Sequence, residues 1–205
     1  MTSLTDMTGL AGVASAMAAA LLLLPGIARL PKSRLAILLG TVFVLAFIPF
    51  GEMPISAYVR GATGDLSITT LVLLWCALLS TSCDRIPFDA RHRHGLLILI
   101  ALAAVALYPL ALDIGMFDPY RPGYGDPLFI AALLLIVLAA WFRKSALIVL
   151  CIALGTLAWS LEWYESGNLW DYLLDPFVAI YAICAVAIHA AKPLRQRQRG
   201  APHKS

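Results

Sequence analysis

Every residue from Leu128 to Phe142 is apolar, and so is every residue from Leu96 to Leu107. A helix on the surface of a soluble protein carries polar residues on one face, and these runs have no such face. The chain of 205 residues is 61% hydrophobic and 13% charged, whereas charged residues make up about 25% of an ordinary soluble domain. We therefore expect an all-α, polytopic transmembrane helix bundle that forms a single domain over residues 1–205.

Seven segments are candidates to cross the membrane. About 20 apolar residues cross a bilayer, and shorter segments do so when interfacial neighbours complete them. The fifth and sixth segments are short and are separated only by Arg143 and Lys144, so a single bent or re-entrant segment is the alternative there. The predicted spans are Leu10–Ala28, Arg34–Phe50, Ser67–Ser82, Gly95–Leu112, Pro127–Phe142, Ser145–Leu161 and Pro176–Ala191.

The charged residues give this arrangement a direction, because Lys and Arg are retained on the cytoplasmic side of a membrane. All 15 of them except Arg60 and Arg121 lie in the joins after spans one, three and five or in the tail after span seven. All 12 acidic residues except Asp84 and Asp89 lie on the other side. Residues 1–9 contain no Lys or Arg, which predicts an uncleaved first span rather than a signal peptide. We expect the bacterial inner (plasma) membrane, with the amino terminus outside and the carboxyl terminus in the cytoplasm.

Candidate functional residues are concentrated in the three loops predicted to lie outside. Carboxylates there could act as acid and base or bind a divalent cation, and an arginine could hold a lipid phosphate. Arg60, Asp113 and Glu162 are the candidate catalytic residues, because a charge at the end of an apolar segment is poorly solvated and needs a partner. The candidate ligand-binding residues are Glu52, Asp118, Arg121, Glu165 and Asp171.

The same loops contain signals for local structure. The first outer loop is predicted to form a short interfacial helix or re-entrant turn that brings Arg60 near Asp65. Asp126-Pro127 and Asp175-Pro176 each predict a helix that begins with a capping carboxylate and a proline at its first position. Asp65 or Ser67 is predicted to cap the third span in the same way.

Several other classes of function are disfavoured by the sequence. The centres of the spans contain no Asp, Glu, Lys or Arg, which argues against a proton- or ion-coupled transporter. The basic residues form no stripe interleaved with exposed aromatics, so nucleic acid is not an expected partner. Residues 83–94 lack a zinc-binding spacing and are predicted to form a basic loop at the headgroup surface. No nucleotide-binding or hydrolase motif is present, and we expect no metal and no cofactor.

Three hypotheses of function remain. The leading one is a non-catalytic partner or assembly subunit in cell-envelope lipid or glycan processing, with membrane lipids and an envelope protein as its expected partners. The first alternative is an intramembrane enzyme that acts on a lipid-linked substrate at the outer leaflet. The second alternative is a small carrier or exporter.

Overall fold

The protein folds into a mostly helical, all-α structure, which confirms the all-α part of the predicted fold class. The computed structural model describes residues 4–83, 88–111 and 118–199. Within these residues the only strands are β1 (Pro49–Phe50) and β2 (Met53–Pro54), which pair as a short antiparallel hairpin. The α-helices of the described residues are α1 (Leu4–Ala20), α2 (Lys32–Leu45), α3 (Ile55–Thr63), α4 (Ile68–Cys83), α5 (Ala90–Ala111), α6 (Pro127–Phe142), α7 (Ala146–Ser160), α8 (Leu169–Leu173) and α9 (Pro176–Arg199).

Seven of these helices, all except α3 and α8, coincide with the seven apolar segments of the sequence. The bounds of α6 are those of the fifth predicted span, residues 127–142. The fifth and sixth segments form two separate helices, and a single bent segment is not observed there. The bounds agree best for α4, α6 and α7, whereas α1 begins six residues before the first predicted span and ends eight residues before its end.

Helix length does not confirm seven spans. Among the described residues, only Ala90–Leu110 is both long and apolar enough to cross a membrane. A helix such as α6, with 16 residues, is about 24 Å long at ~1.5 Å per residue, against a hydrocarbon core of about 30 Å. The shorter apolar helices are Met7–Leu23, Ile68–Thr81, Pro127–Phe142, Ala146–Ser160 and Pro176–Ala191.

The turn between α6 and α7 follows a common backbone motif for the end of a helix. The N–H of Ser145 donates to the carbonyl of Ala140 at 2.8 Å, and the N–H of Lys144 donates to the carbonyl of Trp141 at 2.9 Å. Lys144 has a φ of 55°, the left-handed conformation that this motif requires and that glycine usually supplies. The two helices are thus joined by a tight turn, which separates them without a long loop.

The interior consists of three clusters of apolar side chains. The first joins α5, α7 and α9, the second joins α4, α6, α7 and α8, and the third joins α1, α2 and α4. The most extensive contact between two helices is that of α5 with α9. Helix α6 lies at the periphery, since only Leu133 and Ala140 of its residues are buried.

The surface of α6 is itself apolar. Leu128 and Phe142, at its two ends, are each 81% exposed, and between them Leu135 and Trp141 are exposed as well. A helix that is hydrophobic on all sides is normally enclosed by protein or by lipid. Protein covers little of α6 in this fold.

Candidate functional site

Segments that are far apart in the sequence meet at one end of the bundle. The hydroxyl of Thr8, in α1, donates to the carbonyl of Trp163 at 2.6 Å. The hydroxyl of Tyr164 donates to the carbonyl of Leu66 at 2.8 Å, and both residues are buried. We call this region the acidic end; it comprises the first turns of α1, residues 60–67 and the loops 118–126 and 162–175.

Asp175 joins the first turns of α4 and α9. Its Oδ1 accepts from the backbone N–H of Val178 at 2.9 Å, which makes it the N-cap of α9, as predicted. Its Oδ2 accepts from the Ser67 N–H at 2.9 Å, from the Ser67 hydroxyl at 2.7 Å and from the Thr70 hydroxyl. The side chain is only 4% exposed. One buried carboxylate therefore serves the positive ends of two helix dipoles.

Arg60 and Asp65 form an ion pair beside α1. The Nε of Arg60 lies 2.6 Å from Oδ1 of Asp65, and Nη2 lies 2.9 Å from Oδ2, so the guanidinium binds the carboxylate through two parallel bonds. This confirms that helix α3 brings Arg60 near Asp65. The pair packs directly against Gly9, where an added Cβ would lie 2.6 Å from Nε of Arg60. Helix α4 is capped by Ser67, whose hydroxyl accepts from the N–H of Thr70 at 3.2 Å.

Asp171 holds the loops 118–126 and 162–175 together. The hydroxyl of Tyr120 lies 2.8 Å from both carboxylate oxygens, and the hydroxyl of Ser166 donates to Oδ2 at 2.5 Å. Asn168, which is fully buried, donates from Nδ2 to the carbonyl of Tyr120 at 3.0 Å. Its Oδ1 accepts from the N–H of Trp170 and so caps α8. The carboxylate proposed as a ligand-binding group thus has partners within the protein.

Two buried tyrosines of the acidic end, Tyr164 and Tyr172, stack on each other. The rings of Tyr164 and Tyr172 are 5.0 Å apart between centroids, and the Tyr172 hydroxyl accepts from the N–H of Tyr164 at 3.0 Å. Burial, followed by the negative charge of Asp65, raises the pKa of the Tyr164 hydroxyl above its ordinary value. Burial also raises the pKa of Tyr172. Both hydroxyls therefore stay protonated at neutral pH, and the hydrogen bonds that they donate persist.

Of the three candidate catalytic residues, the structure describes Arg60 and Glu162. Arg60 is paired with Asp65, while Glu162 is exposed on the surface. Asp113 lies outside the described residues. Three cavities of about 670, 560 and 120 Å³ occur among the described residues, and none of these three is lined by a carboxylate or an arginine. The exposed candidates at the surface are Glu52, Asp118, Arg121 and Glu165.

Glu162 occupies the left-handed position that ends α7. Its φ is 51°, and its N–H donates to the carbonyl of Trp159 at 3.1 Å. The N–H of Trp163 donates to the carbonyl of Ala158 at 3.0 Å, which completes the same motif as at the end of α6. A negative charge at this end of a helix is unfavourable to the helix dipole. The residue proposed as a base is therefore part of a helix-ending turn.

Replacement of Glu162 by glycine is expected to stabilise the protein by about 1 kcal/mol. Glycine adopts positive φ without steric penalty, and the change also removes a carboxylate from the negative end of α7. The measurement is the free energy of unfolding in detergent micelles. The matched control is E165G in the same exposed loop, where φ is not positive and we expect a small loss. Equal losses in the two variants would contradict this explanation.

Several residues of the acidic end were not predicted from the sequence, namely the hydroxyls of Thr70, Tyr120, Tyr164, Ser166 and Tyr172 and the amide of Asn168. A local signal was available for Asn168, because an asparagine three residues before Asp171 is typical of a helix start. The partners of the tyrosines have no such signal, since most of them are backbone carbonyls.

Cysteine and metal chemistry contribute little to this picture. Cys76, Cys151 and Cys184 are free thiols, and the side chain of Cys83 lies outside the described residues. Among the described residues, no group of three or more His, Cys, Asp or Glu side chains is arranged to hold a metal ion.

Comparisons with protein-family models, curated proteins and solved structures gave no match to this chain.

Proposed function

We propose that this chain is a multi-pass protein of the bacterial inner (plasma) membrane that acts as a non-catalytic partner or assembly subunit in cell-envelope lipid or glycan processing. Its amino terminus lies outside, its basic tail lies in the cytoplasm, and its acidic end contacts the partner. Seven helices cross or enter the bilayer, and the shorter ones are accommodated by local thinning of the lipid.

The apolar surface of α6 supports the membrane location. Leu128, Leu135 and Phe142 are exposed around this helix, with few protein contacts to cover them. In water such a surface would drive aggregation, whereas acyl chains solvate it without penalty. The hydrogen bonds that join the loops 118–126 and 162–175 bring these acidic segments together at one end, which supports the proposal that they share one face.

The single observation that carries the non-catalytic role is the internal pairing of the charged groups at the acidic end. Arg60 pairs with Asp65. Asp171 accepts hydrogen bonds from two hydroxyls, and Asp175 accepts hydrogen bonds from the first turns of two helices. A catalytic acid, base or phosphate clamp has to face an open site, and these groups face one another. The paired groups form a rigid surface. The exposed charges on this surface are available to another protein.

The test is affinity capture of the tagged protein from native membranes in mild detergent. We expect a stoichiometric envelope protein with the wild type and markedly less of it with the double variant Arg121→Ala and Glu165→Ala, which removes two exposed charges. The matched control is Glu52→Ala, an exposed acid in the β1–β2 turn. Recovery of the wild type alone and monomeric would refute the proposal, as would full retention of the partner by the double variant.

A further inference from the structure

A groove of about 670 Å³ lies at the end of the bundle opposite to the acidic end. It runs along the first turns of α7 and the last turn of α6. Its walls are apolar, with Trp141 and Phe142 on one side and Val149, Leu150 and Ala153 on the other, and Lys144 stands in its lining. The groove thus combines an apolar wall with one cation.

The charge around this groove is positive. His92, at the start of α5, hydrogen-bonds through Nε2 to the carbonyl of Lys144 at 2.8 Å, so the beginning of α5 lies beside the α6–α7 turn. The described carboxylate nearest to this start in the sequence is Asp89, which is exposed. The exposed cations of these two segments are Arg91, Arg93, Arg143 and Lys144. An anion is the ligand that this excess of positive charge attracts.

We propose that this groove binds an anionic phospholipid of the cytoplasmic leaflet, with its phosphate at Lys144 and an acyl chain along α7. The inference rests on the proposed membrane location. From Ser145 to Leu154 the helix rises about 14 Å, close to half of the ~30 Å hydrocarbon core and hence to the depth of one leaflet. A soluble phosphate would make no use of the apolar wall.

A second cavity extends the path of the acyl chain. It has a volume of about 560 Å³, lies between α4 and α7, and is lined by apolar side chains such as Leu71, Trp75 and Leu154. Leu150 lines both cavities. The two cavities therefore meet at Leu150, and the second has no charged residue in its lining.

The position of Lys144 fits this role. Its backbone has the left-handed conformation, with a φ of 55°, that glycine adopts most readily. A lysine at this position adds a cation at the edge of an apolar groove, where ammonium and phosphate pair at the headgroup level. The backbone of the turn is held by its two hydrogen bonds to α6, so the Cα of Lys144 has a fixed position.

The experiment uses the full-length protein, purified and stripped of lipid, with thermal unfolding and native mass spectrometry as readouts. Phosphatidylglycerol should raise the unfolding temperature and remain bound, whereas phosphatidylcholine and glycerol 3-phosphate should do neither. K144Q should weaken phosphatidylglycerol binding about fivefold. A153F should abolish it by filling the groove while the charge is kept. R34Q, at an exposed arginine in α2, should bind as the wild type does.

Equal binding of phosphatidylcholine, or wild-type binding by both K144Q and A153F, would overturn the proposed lipid site. Capture of the envelope partner should be unchanged in K144Q, because the two surfaces lie at opposite ends. Carbonate extraction of membranes distinguishes a failure of the proposed membrane location from a failure of the proposed lipid site. A wild-type protein released by carbonate would overturn the membrane location and the lipid site together, whereas a retained protein that does not select the anionic lipid overturns only the site.

Discussion

Replacement of Asp175 by alanine is expected to lower the free energy of unfolding by about 4 kcal/mol. The change removes the N-cap of α9, a loss of about 1 kcal/mol. It also leaves the buried N–H of Ser67 and the hydroxyl of Thr70 without their acceptor, at about 1–3 kcal/mol for each unsatisfied group, whereas the Ser67 hydroxyl can still donate to Oγ1 of Thr70 at 3.1 Å. The measurement is unfolding in mixed micelles of a mild detergent and SDS, followed by tryptophan fluorescence.

Asp126 provides the matched control, because it precedes a proline at the start of α6 just as Asp175 does at the start of α9. Its side chain accepts only from the N–H groups of Leu128 and Phe129, in its own helix. Asp126→Ala should therefore lose only the cap, about 1 kcal/mol. Similar losses in the two variants would show that the bonds to α4 contribute nothing.

Replacement of Gly9 by alanine is expected to destabilise the protein by about 2 kcal/mol. The added methyl group would overlap Oδ1 of Asp65 and lie 2.6 Å from Nε of Arg60, so that α1 or the ion pair has to move. Overpacking of this kind costs about 1–3 kcal/mol, and the disturbed charged hydrogen bonds add to it. Alanine gains about 1 kcal/mol in helix propensity, which the steric loss exceeds. The same unfolding assay measures the difference.

Gly61, an exposed residue of α3, serves as the control that separates the gain in helix propensity from the steric loss. A Cβ at this position meets nothing within 4 Å, so Gly61→Ala should show only the gain of about 1 kcal/mol from helix propensity. A second check uses a background in which Arg60 and Asp65 are both alanine. There Gly9→Ala should become stabilising, and persistence of its destabilisation would show that the ion pair is not what the methyl group meets.

The features that could be predicted from the sequence are local ones. The apolar run fixes α6 at residues 127–142, and the Asp-Pro pairs identify the first residues of α6 and α9. Arg60 and Asp65 lie five residues apart, close enough for the short helix α3 to bring them together. Each of these predictions depends on residues within one or two helical turns of each other.

The rest of the candidate site depends on contacts between distant segments. The Ser67 and Asp175 side chains are separated by 108 residues, and Tyr164 and Leu66 by 98. A capping aspartate has two oxygens, and the sequence specifies a partner for only one of them. The packing of α4 beside α9 decides which helix donates hydrogen bonds to the second oxygen. That Arg60, Asp113 and Glu162 share a cavity stays a prediction, because Asp113 lies outside the described residues.

The bond between Asp175 and the start of α4 also has a consequence for the order in which the chain matures. Residues 67–70 leave the ribosome more than one hundred positions before their acceptor does. Until residue 175 has been synthesised, α4 begins with two hydroxyls and an amide that lack their carboxylate. The start of α4 can therefore acquire its final hydrogen bonds only when the first turn of α9 arrives. A chain that stops short of residue 175 would therefore keep this helix start without its carboxylate.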